Sequence, residues 1–373
     1  MIAGRSTSPA AEAAVAAAAD LSASPRRPGS ARRRAAFAGL IVAALGLFFA
    51  ELALGTVRIP PGDLVGALFG RPLAKPAWVS ILWDLRLPRA ITAALGGAGL
   101  AVAGLALQTM FRNPLAGPWA LGATAGAQVG VALLVVVSGG VAGGLFDLLR
   151  PIESLSLAAA AAVGAAAVLA LVLVLARKVG AVTLLVVGLL LGYAGEGLAS
   201  LALHFTDETR AKVFASWNDG SFGNVGQGQL GVLAVSVLVG LALAFASAKP
   251  LDALLLGDNY ARSLGVETVR VRRVLLAATL LLAASTTAFC GVVIFLDLAV
   301  PHLARGLFAT ARHRVLIPAT ALLGAALALA ADLVVHLAWD RHFLHLNAVL
   351  AMVGAPVVLA VILRARRGTR IEG

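Results

Sequence analysis

One cysteine, Cys290, is all this 373-residue sequence holds, which excludes a disulfide framework and any zinc site of Cys/His spacing. Charge is scarce as well, at 13% of residues against about 25% in soluble domains. What is abundant is apolar: 60% of the chain is hydrophobic and its mean hydropathy is +0.94. Such a chain reads as an all-α polytopic membrane protein. The sequence also lacks HExxH, GxSxG, a phosphate loop ending in Gly-Lys-Ser/Thr, and paired catalytic carboxylates at a soluble mouth. It is therefore expected to be no enzyme, to hydrolyse no ATP, and to bind no metal or cofactor of its own.

The formal charge of +12 comes from short basic clusters beside apolar runs, a pattern that fits the positive-inside rule and gives no reason to expect a nucleic-acid partner. Residues 1–34, rich in Ala, Ser, Pro and Arg, are expected to form a disordered tail. A span needs about 20 mostly apolar residues. Ten candidates follow: 35–57, 89–111, 118–138, 155–176, 182–204, 230–248, 271–293, 298–310, 316–339 and 346–364, all within a domain of residues 35–366 that leaves 367–373 as a second tail. The eighth is too short to cross alone and reads as a half-helix shielded by protein. With ten spans, the segments on the side of the termini hold 21 Lys and Arg and the opposite segments hold 9, which predicts both termini in the cytoplasm. Forty glycines and abundant alanine suit helices that pack closely in lipid.

Several polar motifs stand out. Arg86 and Arg89 flank Leu87-Pro88 at an outer boundary, where guanidinium forks suit capture of carboxylates on a docking protein, although interfacial snorkelling accounts for them equally. The run Phe111-Arg112-Asn113-Pro114-Leu115-Ala116 ends one span in a sharp turn. Residues 252–267, with Leu256, Gly257, Asp258, Ala261, Arg262, Leu264 and Gly265, read as a short cytoplasmic helix between two spans. Charged residues inside spans are functional candidates by default, here Glu51, Glu196, Asp297 and Asp332, with His204 and His336 near span ends. Structural pairing is an equally good account of each. A faint echo relates Arg89–Pro114 to Arg273–Pro301, as internal repeats do in transporters.

Arg86-Leu87-Pro88-Arg89, Phe111 to Ala116, Leu121-Gly122, Leu256 to Val266, Val300-Pro301-His302-Leu303-Ala304-Arg305 and Gly354-Ala355-Pro356 occur in one order. As a set they resemble the permease subunit of binding-protein-dependent ABC importers for iron-siderophores, haem and cobalamin. The resemblance implies a ten-helix subunit in the bacterial inner membrane, paired with a second copy around a central pathway. It also implies two copies of an ATP-binding subunit, which hold ATP and Mg, and a periplasmic binding protein. Leu256 to Val266 would then be the element gripped by the ATPase. Arg86, Arg89 and, more loosely, Arg341 would meet acidic groups on the binding protein. Two departures are visible: Ile294 and Asp297 stand where the family carries glycines, and the last outer loop reads Leu344-His345-Leu346-Asn347 in place of Leu-Pro-x-Gly.

The expected function is an iron-chelate importer permease, haem favoured over siderophore and cobalamin, with Tyr193, Glu196, His204, His342 and His345 as pathway candidates. Imidazole from His342 or His345 could meet a haem iron, against the plainer account of exposed loop residues. The alternative from another class is an ion-coupled carrier or membrane enzyme using Glu51, Glu196, Asp297 and Asp332.

Overall fold

Helix, with no strand, is formed by the described residues, as a chain in lipid requires when every backbone group must find its partner within its own segment. The computed structural model describes residues 30–137, 153–175, 178–179, 181–337 and 344–369. In chain order the helices are α1 (Ser30–Ala53), α2 (Pro61–Leu68), α3 (Pro76–Met110), α4 (Ala123–Val137), α5 (Glu153–Leu175), α6 (Ala181–His204), α7 (Glu208–Asn218) and α8 (Gln227–Ala246). There follow α9 (Ala248–Leu255), α10 (Asp258–Ser263), α11 (Thr268–Cys290), α12 (Leu296–Phe308), α13 (His313–His336) and α14 (Leu346–Thr369).

Each of the ten expected spans has a helix. Six of these, α1, α3, α6, α8, α11 and α13, are long and apolar enough by themselves to cross a membrane. Several boundaries differ from expectation, two of them at helix starts by five residues or more toward the N-terminus. The first helix begins at Ser30, inside the stretch read as a disordered tail, because Ala, Arg and Leu at 31–40 are good helix formers that continue the apolar run. The second begins at Pro76, where proline at a first helical position costs no hydrogen bond, and passes through a π turn at Ile81–Arg86 before its apolar part.

Helix α3 is the hub, buried along most of its length against α13, α12, α8 and α11. Glycine makes this possible. A Cβ at Gly97 would collide with the Gly324 carbonyl of α13, and one at Gly324 with the Gly97 carbonyl, so these two backbones touch with nothing between them. The same contact recurs between Gly126 of α4 and Gly164 of α5.

The short helix α12 is held by a chain of compensations. Pro301 has no N–H, so the carbonyl of Asp297 one turn earlier loses its helical donor. Gln108 Nε2 on α3 supplies one, at 3.4 Å to Asp297 and 3.2 Å to Leu298. Gly104 allows the approach, since a Cβ there would strike the Asp297 carbonyl. Arg305 Nη1 in turn donates to Gln108 Oε1 at 2.7 Å. His302 Nε2 donates to the Pro114 carbonyl at 2.9 Å, so the two halves of the sequence echo meet in space, although Pro114 lies in a turn and Pro301 inside a helix.

Candidate functional site

Three polar regions interrupt the apolar bundle. At one end lie α9 and α10, joined through Gly257, whose φ of +104° is a conformation that a side chain would strain. Asp258 begins α10 and receives two hydrogen bonds from Arg272 Nη2, at 3.0 and 2.7 Å, which pins the short helix to α11. Arg262 Nε reaches Thr268 Oγ1 at 3.3 Å, and Ala261 is buried beneath. Turned outward are Leu256, Tyr260 and Leu264, at 64%, 50% and 58% exposure. Tyr260 on α10 and Leu264 at its C-cap, four apart, share one helical face, and Leu256 is exposed just before the turn at Gly257, so the hook shows apolar side chains on a segment otherwise rich in charge. Gly265, with φ +78°, turns the chain back toward α11.

This hook is wired to the hub. Asp252 on α9 accepts from the backbone N–H of His313, the first residue of α13, at 2.8 Å, and from its ring Nδ1 at 2.7 Å. The other ring nitrogen, Nε2, lies 2.9 Å from Thr109 Oγ1 at the end of α3. Sequence reading found the hook and missed this relay, because a lone His beside a basic run gives no sign of its partners.

At the opposite end, Arg86 turns inward. Its exposure is 6%, its Nη1 donates to the Leu52 carbonyl at 2.8 Å, and its Nη2 donates to the Val57 carbonyl. The expectation that Arg86 meets a docking protein is thereby corrected: the end of α1 leaves the Leu52 carbonyl without a donor, and this guanidinium satisfies it together with the Val57 carbonyl of the following loop. Arg89 is partly exposed, with Nε 3.8 Å from Asp332 Oδ2 of α13. Glu51 and Asp332 are buried and His336 is half-buried, and their ligand atoms lie within 4.8 Å of one another. Glu51 and Asp332 lie against each other, with the guanidinium groups of Arg86 and Arg89 close by. Arg341 and His342 lie outside the described residues. His345 Nδ1 faces Asp219 Oδ2 at 3.6 Å.

The family departures have structural answers here. Asn347 Oδ1 accepts from the Ile294 N–H at 3.2 Å, while its Nδ2 donates to the carbonyls of Val292 at 2.8 Å and Asp219 at 3.2 Å. It ties the loop before α12 to the start of α14. Phe295 takes φ +69° and packs on Gly354, where a Cβ would clash with its ring. Asp297, in place of glycine, is buried, with Oδ2 against Gly117, where a Cβ would collide with it, and near the Trp119 backbone.

The third region is a cavity of about 170 Å³ beside α6, lined by Trp119, Gln128, Gly192, Tyr193, Glu196 and Val292 among others. Tyr193 and Glu196 are thus brought together. His204, also exposed, stands apart at the helix end with its ring edge-on to Phe205 at 5.5 Å.

Comparison with known proteins gives a consistent neighbourhood. The profile of the FecCD transport family matches residues 40–364. The vitamin B12 import system permease protein BtuC of Vibrio cholerae is 37% identical over 309 residues, 81% of this chain and 88% of that protein. Its counterpart in Klebsiella pneumoniae is 32% identical, covering 88% and 93%. A solved metal-chelate type ABC transporter in an inward-facing conformation superposes with a TM-score of 0.73 at 25% identity, covering 89% of this chain and 99% of that one.

Proposed function

This chain belongs to the FecCD transport family, and we propose that it passes a metal chelate of the vitamin B12 class through the bacterial inner membrane. It is the membrane-spanning permease subunit of an ABC importer, a kind of assembly that draws its energy from a separate ATPase and receives cargo from a binding protein. The observation that carries the reading is the apolar ridge of Tyr260 and Leu264, with the exposed Leu256 beside the turn before it, on a hook held by the Arg272–Asp258 pair. A ridge of that kind fits a groove on a partner, and the Asp252–His313–Thr109 relay joins it directly to α3 and α13.

In this reading two copies of the chain pair around a pathway, each seated on one ATPase subunit, with both termini on the side of the hook. ATP and Mg stay on the ATPase, and its closure shifts α9 and α10. The relay passes the shift into the hub, which tilts the bundle between an outward-open and an inward-open state. Arg89 and Arg341 serve as contacts for acidic groups on the binding protein. Haem was the cargo expected from the sequence. Relatives named for vitamin B12 favour a corrinoid over it, and the histidine argument is weakened where His345 already faces Asp219.

The test is reconstitution in liposomes with the ATPase and binding protein from the same operon. Vitamin B12, haem and a ferric siderophore are then offered side by side. ATP-driven accumulation of vitamin B12 above the other two is expected. Preference for haem or the siderophore would overturn the cargo, and uptake by the purified chain alone would overturn the importer.

A further inference from the structure

Glu196 lies well inside α6, and among the described residues it makes no hydrogen bond and no ion pair. A carboxylate at membrane depth turned toward lipid is costly enough that such groups face a bundle interior or water. The cavity beside α6 gives it that setting. Of the residues lining it, Glu196 is the single carboxylate, and no Lys, Arg or His is among them to offset its charge. Gly192, one helical turn away, has nothing within 4 Å of where a Cβ would stand, so among the described residues no side chain fills the cavity beside it. The exposed rings of Trp119 and Tyr193 flank it, offering flat apolar faces.

From this arrangement, and resting on the proposed transport function, we infer that Glu196 makes the pathway a charge filter. It favours a flat conjugated chelate that is neutral or cationic and carries hydrogen-bond donors such as primary amides on its rim. It disfavours one rimmed with carboxylates. The carboxylate accepts from the rim donors while the rings lie against the conjugated face, and an anionic rim meets an uncompensated negative charge in surroundings of low dielectric, where repulsion is strong. Because the site would hold only a few contacts of this kind, cargo is screened without being retained.

The filter is tested without any cargo. Gly192→Cys is prepared in the assembled, membrane-embedded complex, where the native Cys290 is buried and silent. Cationic and anionic methanethiosulfonate reagents of similar size are compared, each rate normalised to that with a free thiol. The cationic reagent is expected to react about tenfold faster. Glu196→Gln in the same background brings the two rates together, and Glu196→Asp keeps them apart. Equal rates with Glu196 present, a ratio unmoved by Glu196→Gln, or no reaction with either reagent overturns the filter. In the transport assay, the ratio of vitamin B12 uptake to uptake of its carboxylate derivative falls toward unity in Glu196→Gln, with one binding protein used throughout. If the wild type moves neither corrinoid, the cargo reading fails, while the labelling ratio still decides the filter.

Discussion

Oδ1 of Asp252 accepts both the backbone N–H of His313, at 2.8 Å, and its ring Nδ1, at 2.7 Å. One carboxylate oxygen on α9 therefore caps α13 and aims an imidazole at α3. Asp252→Ala removes a cap and strands a buried ring nitrogen, a loss of about 1–3 kcal/mol. Asp252→Asn keeps an acceptor and should lose less than half of that. Thermal melting of the purified protein in detergent checks the order, and an unchanged midpoint for Asp252→Ala would remove the cap from the account.

The ridge on the hook makes a different forecast, because Tyr260 and Leu264 are exposed. The double change Tyr260→Ala, Leu264→Ala should leave melting unaltered and weaken capture of the ATPase subunit at least about tenfold. Binding of labelled ATPase to the permease in nanodiscs reads this directly. Undiminished affinity would take α10 out of the contact.

Arg86 and Arg89 should separate cleanly. Arg86→Ala leaves the carbonyls of Leu52 and Val57 without donors in a buried place, so it should cost about 2–5 kcal/mol or prevent folding. Arg89→Ala should fold, because the residue is partly exposed and its ion pair is long, and should slow docking of the binding protein. A salt-dependent fall in association rate for Arg89→Ala is the expected result. An equal rate at low salt would leave the docking role to other residues.

Most of the architecture could be read from the chain. Apolar runs near 20 residues mark spans whatever surrounds them, so each expected span has its helix, and the 252–267 segment stood out as a polar, charged helix between two such runs. Side-chain direction could not be read that way. Arg86 and Arg89 looked equivalent in sequence, and only the position of the α1 carbonyls sends one inward. Asn347 looked like a disturbance of the last outer loop, whereas it bonds to three backbone groups that lie far away in sequence. Glu196 and Asp297 were alike as charges inside spans, yet Asp297 is buried against the Trp119 backbone and Glu196 faces a cavity.

Gly97→Val places two methyl groups where the Gly324 carbonyl already lies, and should abolish the folded protein or lower its stability by more than about 3 kcal/mol. Gly39→Ala, with open space around it, is the matched control and should be neutral or slightly stabilising. Yield of monodisperse protein on size exclusion distinguishes them. Equal yield would mean that the two helices can part without penalty.

The same bare crossing limits how the molecule can flex. Two backbones in direct touch have no intervening side chains to rotate aside, so sliding one past the other would drive methyl groups such as Ala101 and Ala328 into carbonyl oxygens. The long pair must swing as a single beam. Bending then falls outside the pair, as at Gly257 between α9 and α10, where a φ of +104° is open to a residue without Cβ.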